Sequence, residues 1–501
     1  MYKKTWTKKP VAPHVPKEIN IVPSMQQEAI GTFVAEGEGN GCFLARAGTA
    51  KTTTSVWSMR YAKGSILYLC FGKANAIEAK DKVPLGVEAK TFHSMGCQIL
   101  FNAYGRIQFA KGKDEKTKLI LSKMDVPDKS IPQFCKCVSL CKNTISLDIE
   151  AITKTAMEYD CLYDSDELSS SEFIITVEKV LQESLKMTNL VDFDDMLYIP
   201  VVNNLRFPTY DNIYGDEAQD FNEVQMEMII RFAGSKGRIF IVGDDKQSIY
   251  EFRGATKNAI NILADKINAV RFPLTITYRC PKAVVRLAQS EVPDYMASPN
   301  NIEGEINQIE INDLESFVKE GDIIISRKNA PIIALSYKFI AERKRVKVLG
   351  KDFGDALISI VKRFKGNSLE DFNIYLGTWA AKQMDLLESK FGDKANFSGI
   401  NDKIDCLKIF IAESKTIDEL ITTINGLFSD RRDDNCITMS TTHKAKGLEY
   451  DNVFVLSSTF SKQGEEQERN LWYVAITRTK KVLNLVNGLP NAKKGFIENV
   501  E

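Results

Sequence analysis

The sequence predicts an α/β fold: parallel sheets flanked by helices, in two parts, each interrupted by a mainly helical insertion. Three observations carry this. Short apolar runs such as "GCFL", "LYLCF" and "IFIVG" end in polar turns and give way to helical patterns, the alternation of doubly wound sheets. The chemistry-bearing residues cluster in those turns, at the strand ends where α/β sheets bind ligands. Two stretches interrupt the alternation: about 101–187, charged, helix-patterned and without motifs, and about 352–430, again helical.

Taken in order, residues 1–20 hold five lysines before the first acid, Glu18, and several prolines; they read as a basic flexible tail. "GCFL" then leads into "ARAGTAKTTT" (45–54) and a helical run, "KTTTSVWSMRYA". The stretch resembles a phosphate-binding loop, G-x-x-x-x-G-K-[ST], with Ala45 and Ala50 at both glycine positions. Lys51 can reach β- and γ-phosphates, the Thr52 hydroxyl can sit on Mg²⁺, and Gly48 can make the tight turn. Ala50 adds a methyl, which the loop tolerates only if its φ is negative. Taken alone, the segment also fits a chance strand–loop–helix with a surface lysine. Further on, Asp216 and Glu217 in "YDNIYGDEAQDFNEVQ" fall at a strand's C-terminal end. There one carboxylate can hold Mg²⁺ and its neighbour can orient or deprotonate water. In "RIFIVGDDKQSIYEFRGA" (238–255), Gln247 can report on a γ-phosphate, and Tyr250, Phe252 and Arg253 suit stacking on unpaired bases.

Composition limits the classes. The 501 residues suit several domains, and 44% hydrophobic content is ordinary for a globular chain. No run approaches a membrane span and the N-terminus lacks a signal-peptide core, so the chain reads as intracellular. The ten cysteines sit mostly in apolar segments, which suits reduced thiols. Buried helix-face thiols suit "CKCVSLC" (Cys135, Cys137, Cys141) better than a metal site does. Lys+Arg and Asp+Glu number 66 each, so net charge argues neither for nor against nucleic acid.

With "DEAQDFNEVQ" and "VGDDKQSIYEFRGA", three further stretches complete a pattern: "LTITYRC" (274–280), "ITMSTTHKAKGLEYDNVFVL" (437–456) and "ERNLWYVAITRTKKVL" (468–483). In order and spacing they resemble superfamily 1 helicases of the UvrD/Rep type. "ILYLCFGKANAIEA" followed by "AKTFHSMGCQIL" resembles the F-box DNA helicase branch, with only the motor shared. The resemblance implies ATP and Mg²⁺ as cofactors and single-stranded DNA, with single-strand/duplex junctions, as partner. Accessory replication or recombination proteins are further partners to expect.

By the same resemblance, Gln26 would read adenine, Tyr278 would stack on it and Glu449 would bind ribose. Gly48, Thr49, Ala50, Lys51, Thr52 and Thr53 would line the phosphates, with Thr52 and Asp216 on Mg²⁺. Glu217 would be the general base, Gln247 the γ-phosphate coupler, Arg279 a γ-phosphate contact and Arg478 the arginine finger. Phe71, Lys73, Thr91, His93, Tyr250, Phe252, Arg253, Thr441 and His443 would contact single-stranded DNA. Two of the chain's three histidines thus fall in these motifs. There are departures: Arg46 replaces a small residue, Phe252 a tryptophan, and Gly215 an apolar strand residue.

The implied organisation is two RecA-like domains with ATP between them: 21–100 plus 188–280, and 281–351 plus 431–501. Insertions would occupy 101–187 and 352–430, the second shorter than in larger relatives. The expected polarity is 3′ to 5′. The alternative readings are a translocase that strips proteins without processive unwinding, a motor paired with a separate nuclease subunit, and an RNA track. From another class comes a non-hydrolysing DNA-binding regulatory module with a crippled loop.

Overall fold

The computed structural model describes residues 21–70, 72–159, 161–250, 255–391, 397–428, 435–461 and 466–490. The basic tail, Phe71, Phe252 and Arg253 lie outside the described residues, as does the side chain of Lys73. Two compact units divide the chain. The first holds residues 1–46 and 50–274, the second 47–49 and 275–501.

The first unit is built on a six-stranded, all-parallel sheet. Its strands are β1 (Gly41–Ala45), β2 (Ile66–Cys70), β3 (Val87–Thr91), β4 (Asn212–Gly215), β5 (Arg238–Gly243) and β6 (Val270–Leu274). Their spatial order is β3-β2-β4-β5-β1-β6. The pleat sorts alternate residues of one strand into two cores. Leu67 and Leu69 enter one with Ile213 and Ile241, while Ile66, Tyr68 and Cys70 enter the other with Phe43 and Val242. Apolar residues on both faces are what a helix-covered parallel strand requires. That is why β2 reads "ILYLC" and is buried throughout.

Helices start where short polar side chains can hold their first free N–H groups. Ser24 and Gln27 form a capping box ahead of Met25–Glu36, and Asn222 and Gln225 form one ahead of Glu223–Ala233. Between β3 and β4 the helices Glu115–Leu121, Ile131–Asn143, Ile149–Glu158 and Ser170–Lys186 gather around Phe134, Phe173 and Val177. Cys135, Cys137 and Cys141 are buried on the second of these helices, and all ten cysteines are free thiols.

The second unit repeats the scheme. Its six parallel strands are β7 (Glu305–Glu310), β8 (Ile323–Ser326), β9 (Val346–Val348), β10 (Ile437–Thr441), β11 (Tyr450–Leu456) and β12 (Thr479–Asn487), in spatial order β7-β12-β11-β8-β10-β9. Helices Lys351–Arg363, Leu369–Phe391, Ser398–Ala412 and Ile417–Leu427 lie between β9 and β10 in sequence. Among the described residues no helix is long and apolar enough to cross a membrane.

Candidate functional site

In the first unit the site grows from the ends of β1, β4 and β5. Past β1 the chain turns through Gly48, at φ +68°, and enters helix Lys51–Ser58. Ala50, the residue before that helix, has φ +60° and ψ +41°. The expectation of a negative φ is therefore corrected. The turn needs a left-handed residue before the lysine whatever its side chain, and alanine adopts that conformation at a cost of about 1–2 kcal/mol. Gln27 Nε2 donates to Thr54 Oγ1 at 2.8 Å, linking helix Met25–Glu36 to the loop helix. Gln26 beside it is half-buried, as is Thr53, while Thr49 is buried.

Asp216 and Glu217 follow β4 directly. Thr52 Oγ1 donates to Asp216 Oδ2 at 3.0 Å, Tyr68 OH donates to the same oxygen at 2.5 Å, and Lys51 Nζ lies 3.1 Å from Glu217 Oε2. Glu217 itself has φ +56°. Burial, with the neighbouring Glu217 charge, raises the Asp216 carboxyl above its ordinary range. For Lys51 burial works downward, but the Glu217, Asp244 and Asp216 carboxylates outweigh it and hold the ammonium charged. A hydroxyl and a carboxylate at hydrogen-bond distance are a hard-oxygen donor pair. They fit a Mg²⁺ that takes its other ligands from phosphates and water. Among the described residues no cluster of three or more His, Cys, Asp or Glu side chains could hold a metal by itself.

Beyond β5, Gln247 is buried and its Nε2 donates to Asp244 Oδ2 at 2.6 Å. Gln219 joins this turn to the acids: its Nε2 donates to Glu217 Oε2 at 2.5 Å, and its Oε1 accepts from Asp244 N at 3.0 Å. Sequence reasoning missed Gln219 and Tyr68, although both lie in stretches it singled out. Gly215, the unusual glycine at the end of β4, is explained by crowding. A Cβ there would stand 2.8 Å from Ile229 Cδ1 and 3.1 Å from Phe221.

Of the residues expected to contact DNA, Thr91 caps helix Phe92–Tyr104, accepting from Ser94 N at 3.1 Å. His93 stacks on Phe193 at 3.7 Å between ring centroids. Burial lowers its pKa to about 4, so the ring is neutral near pH 7. Phe193 is 57% exposed. Sequence reasoning missed it, although "VDFDD" places an aromatic between acids where burial is not its purpose. Tyr250 is half-buried.

The second unit brings Arg279 Nε within 2.7 Å of Glu449 Oε2, and Tyr278 remains 46% exposed beside it. Arg478 is buried; Nε donates to Val474 O at 2.8 Å and Nη2 to Thr477 Oγ1 at 3.2 Å. Burial and the nearby Arg279 charge lower its pKa to about 10, so it stays a cation. Thr441 is buried where helix Thr442–Ala445 begins, and His443 on that helix is half-buried.

A profile described as the UvrD/REP helicase N-terminal domain matches residues 26–268, and one described as the UvrD-like helicase C-terminal domain matches 402–487. F-box DNA helicase 1 of Gallus gallus is 25% identical over 496 residues, 89% of this chain and 47% of that protein. ATP-dependent DNA helicase PcrA of Staphylococcus aureus is 27% identical over 307 residues, 55% of this chain and 40% of that protein. PcrA of Staphylococcus epidermidis is 28% identical over 302 residues, 54% and 39% respectively. The chain thus spans less than half the length of each of these relatives.

Proposed function

This chain belongs to the UvrD/REP-type helicase family, whose core domains are RecA-like, and from that premise we propose that it is an ATP-driven motor on single-stranded DNA. It would move 3′ to 5′ and couple hydrolysis to duplex unwinding or protein displacement. The observation that carries the reading is the pairing of Lys51 with Glu217 and of Thr52 with Asp216 behind a loop that has lost its usual glycines.

Thr52 and Asp216 are the residues that would hold Mg²⁺, which when bound supplies positive charge to the β- and γ-phosphate oxygens. Lys51 adds a fixed cation. A γ-phosphate arriving at Lys51 competes with Glu217 for the ammonium and leaves that carboxylate to the attacking water. Glu217 then accepts the water's proton. Gln247 orients on the γ-phosphate. Arg279 contacts the γ-phosphate, and Arg478 is the arginine finger, a contribution of about 10³–10⁵ in rate. The His93–Phe193 pair and Tyr250 offer aromatic faces to unpaired bases, worth about 1–3 kcal/mol per base. ATP drives movement only if it binds one conformation better than another.

A second reading keeps DNA binding but not hydrolysis, and the left-handed Ala50 favours it. One experiment separates them. ATP turnover is measured with and without single-stranded DNA for the wild type and Lys51→Ala, followed by unwinding of 3′-tailed and 5′-tailed duplexes. DNA-stimulated turnover that falls at least about a hundredfold in the variant supports the motor. Intact DNA binding without turnover in the wild type supports the regulatory module. Unwinding of only the 5′-tailed duplex would reverse the polarity.

A further inference from the structure

Arg46 is the one departure in the phosphate-binding loop that adds a charge, and the structure gives that charge partners. Its Nη1 lies 2.5 Å from Asp245 Oδ1 and 3.5 Å from Asp244 Oδ1. Asp244 is fully buried, and burial raises its carboxyl while Lys51 and Arg46 pull it back down. Two adjacent carboxylates in such a place are costly unless cations answer them. The same Asp244 accepts from Gln247 Nε2 at 2.6 Å and from Lys246 N at 3.1 Å. Through its own N–H it reaches Gln219, which reaches Glu217, which pairs with Lys51. A closed circuit of polar contacts therefore starts and ends at the phosphate-binding loop.

We propose that Arg46 is a positioning residue for ATP hydrolysis: it clamps the Asp244–Asp245 turn to the loop and, through Asp244, sets the Gln247 side chain. This rests on the reading that Gln247 answers the γ-phosphate. Arg46 replaces the small residue usual at its position, and a small residue could not span to the turn. A planar guanidinium can hold two carboxylate oxygens at once, which an ammonium does less well.

The test compares the full chain with Arg46→Ala, Arg46→Lys, Gln247→Ala and the double variant Arg46→Ala/Gln247→Ala in DNA-stimulated ATP turnover. Arg46→Ala is expected to lower kcat by about 10–100-fold while the ATP KM changes less than about threefold, because misplacement rather than lost binding is the defect. Arg46→Lys recovers part of the rate. The double variant is no slower than the slower single variant, since both substitutions break one line of contact. A tenfold rise in KM with kcat kept, or rate losses that multiply in the double variant, overturns the proposal.

Two controls keep it separate from its premise. Should Arg46→Ala fold poorly, Asp245→Asn removes the charge of the shorter contact while Asp244 still answers Arg46, and it is expected to lower kcat alone. Hydrogen exchange at the amides of Asp244, Lys246 and Gln247 needs no turnover. It is expected to speed up at least about tenfold in Arg46→Ala, as lost protection of a local opening unit would. Unchanged exchange overturns the clamp even if the wild type is an ATPase. Faster exchange in Arg46→Ala, together with no turnover in the wild type, sinks the motor reading and leaves the clamp.

Discussion

Ala50 spends conformational energy so that Lys51 can open its helix. Replacing it with glycine removes the left-handed penalty and adds unfolded-chain entropy, so Ala50→Gly is expected to stabilise the protein by about 0.5–1 kcal/mol. A higher urea midpoint with an unchanged slope checks this; a lower midpoint would mean that the alanine methyl gains more from packing than it costs in strain. His93 gives a second residue-level outcome. Its pKa is depressed to about 4 by burial, so between pH 6.5 and about 4 the unfolded chain binds the proton and the folded chain does not. Stability therefore falls as pH drops through that window. In His93→Gln the urea midpoint is expected to decline less from pH 7 to pH 4, and parallel curves would contradict the assignment. Both effects escape a sequence reader for the same reason. The φ of Ala50 and the ring beneath His93 come from how the surrounding chain closes. Phe193 lies 100 positions away from His93, beyond any local periodicity.

At the scale of elements, the helical segment between β3 and β4 is locked to the sheet-side helix Asp195–Val202 by buried charge. Lys116 Nζ stands 2.6 Å from Asp195 Oδ2, and Lys142 Nζ stands 2.6 Å from Asp192 Oδ2 and 2.8 Å from Asp195 Oδ1. Burial raises the Asp195 carboxyl, but the two lysines prevail and hold it below its usual range. For Lys116 burial prevails and lowers the ammonium. Asp195→Asn leaves two buried cations short of a partner and is expected to cost about 3–5 kcal/mol, measured by denaturant unfolding. Lys116→Met, which removes the less favoured charge, should cost less. Equal losses would mean that the Lys116 contact stabilises the fold as much as the Asp195 charge itself does. The strands and the polar turns after them were legible because burial on both faces forces continuous apolar runs. This four-residue cage was not, since a lysine on a charged helix looks the same in sequence whether it meets water or Asp195.

For the whole molecule, under the proposed function, the balance of 66 basic and 66 acidic residues bears on encounter with DNA. A chain with no net charge gains little long-range steering. Its association rate with single-stranded DNA is expected to change less than about tenfold between 50 and 200 mM salt, while equilibrium affinity still falls with each phosphate contact made. Stopped-flow binding at several salt concentrations checks this. A steep rate dependence would reveal a concentrated basic surface. The two-part α/β plan and its strand-end motifs could be read from the chain because each unit repeats one local grammar.

The order of strands in the first sheet also sets a timetable. β1 lies between β5 and β6, and roughly 230 residues separate Gly41 from Leu274. At about 5–20 residues per second of synthesis, the strand that leads into the Ala50 turn spends on the order of 10–50 s outside the ribosome before both flanking strands exist. Until β5 is made it lacks a native partner for the backbone N–H and C=O groups on both of its edges, and until β6 is made for those on one. A newborn copy would therefore depend on chaperone cover, and its yield would respond to translation speed between codons 45 and 274 more than to the final stability of the fold.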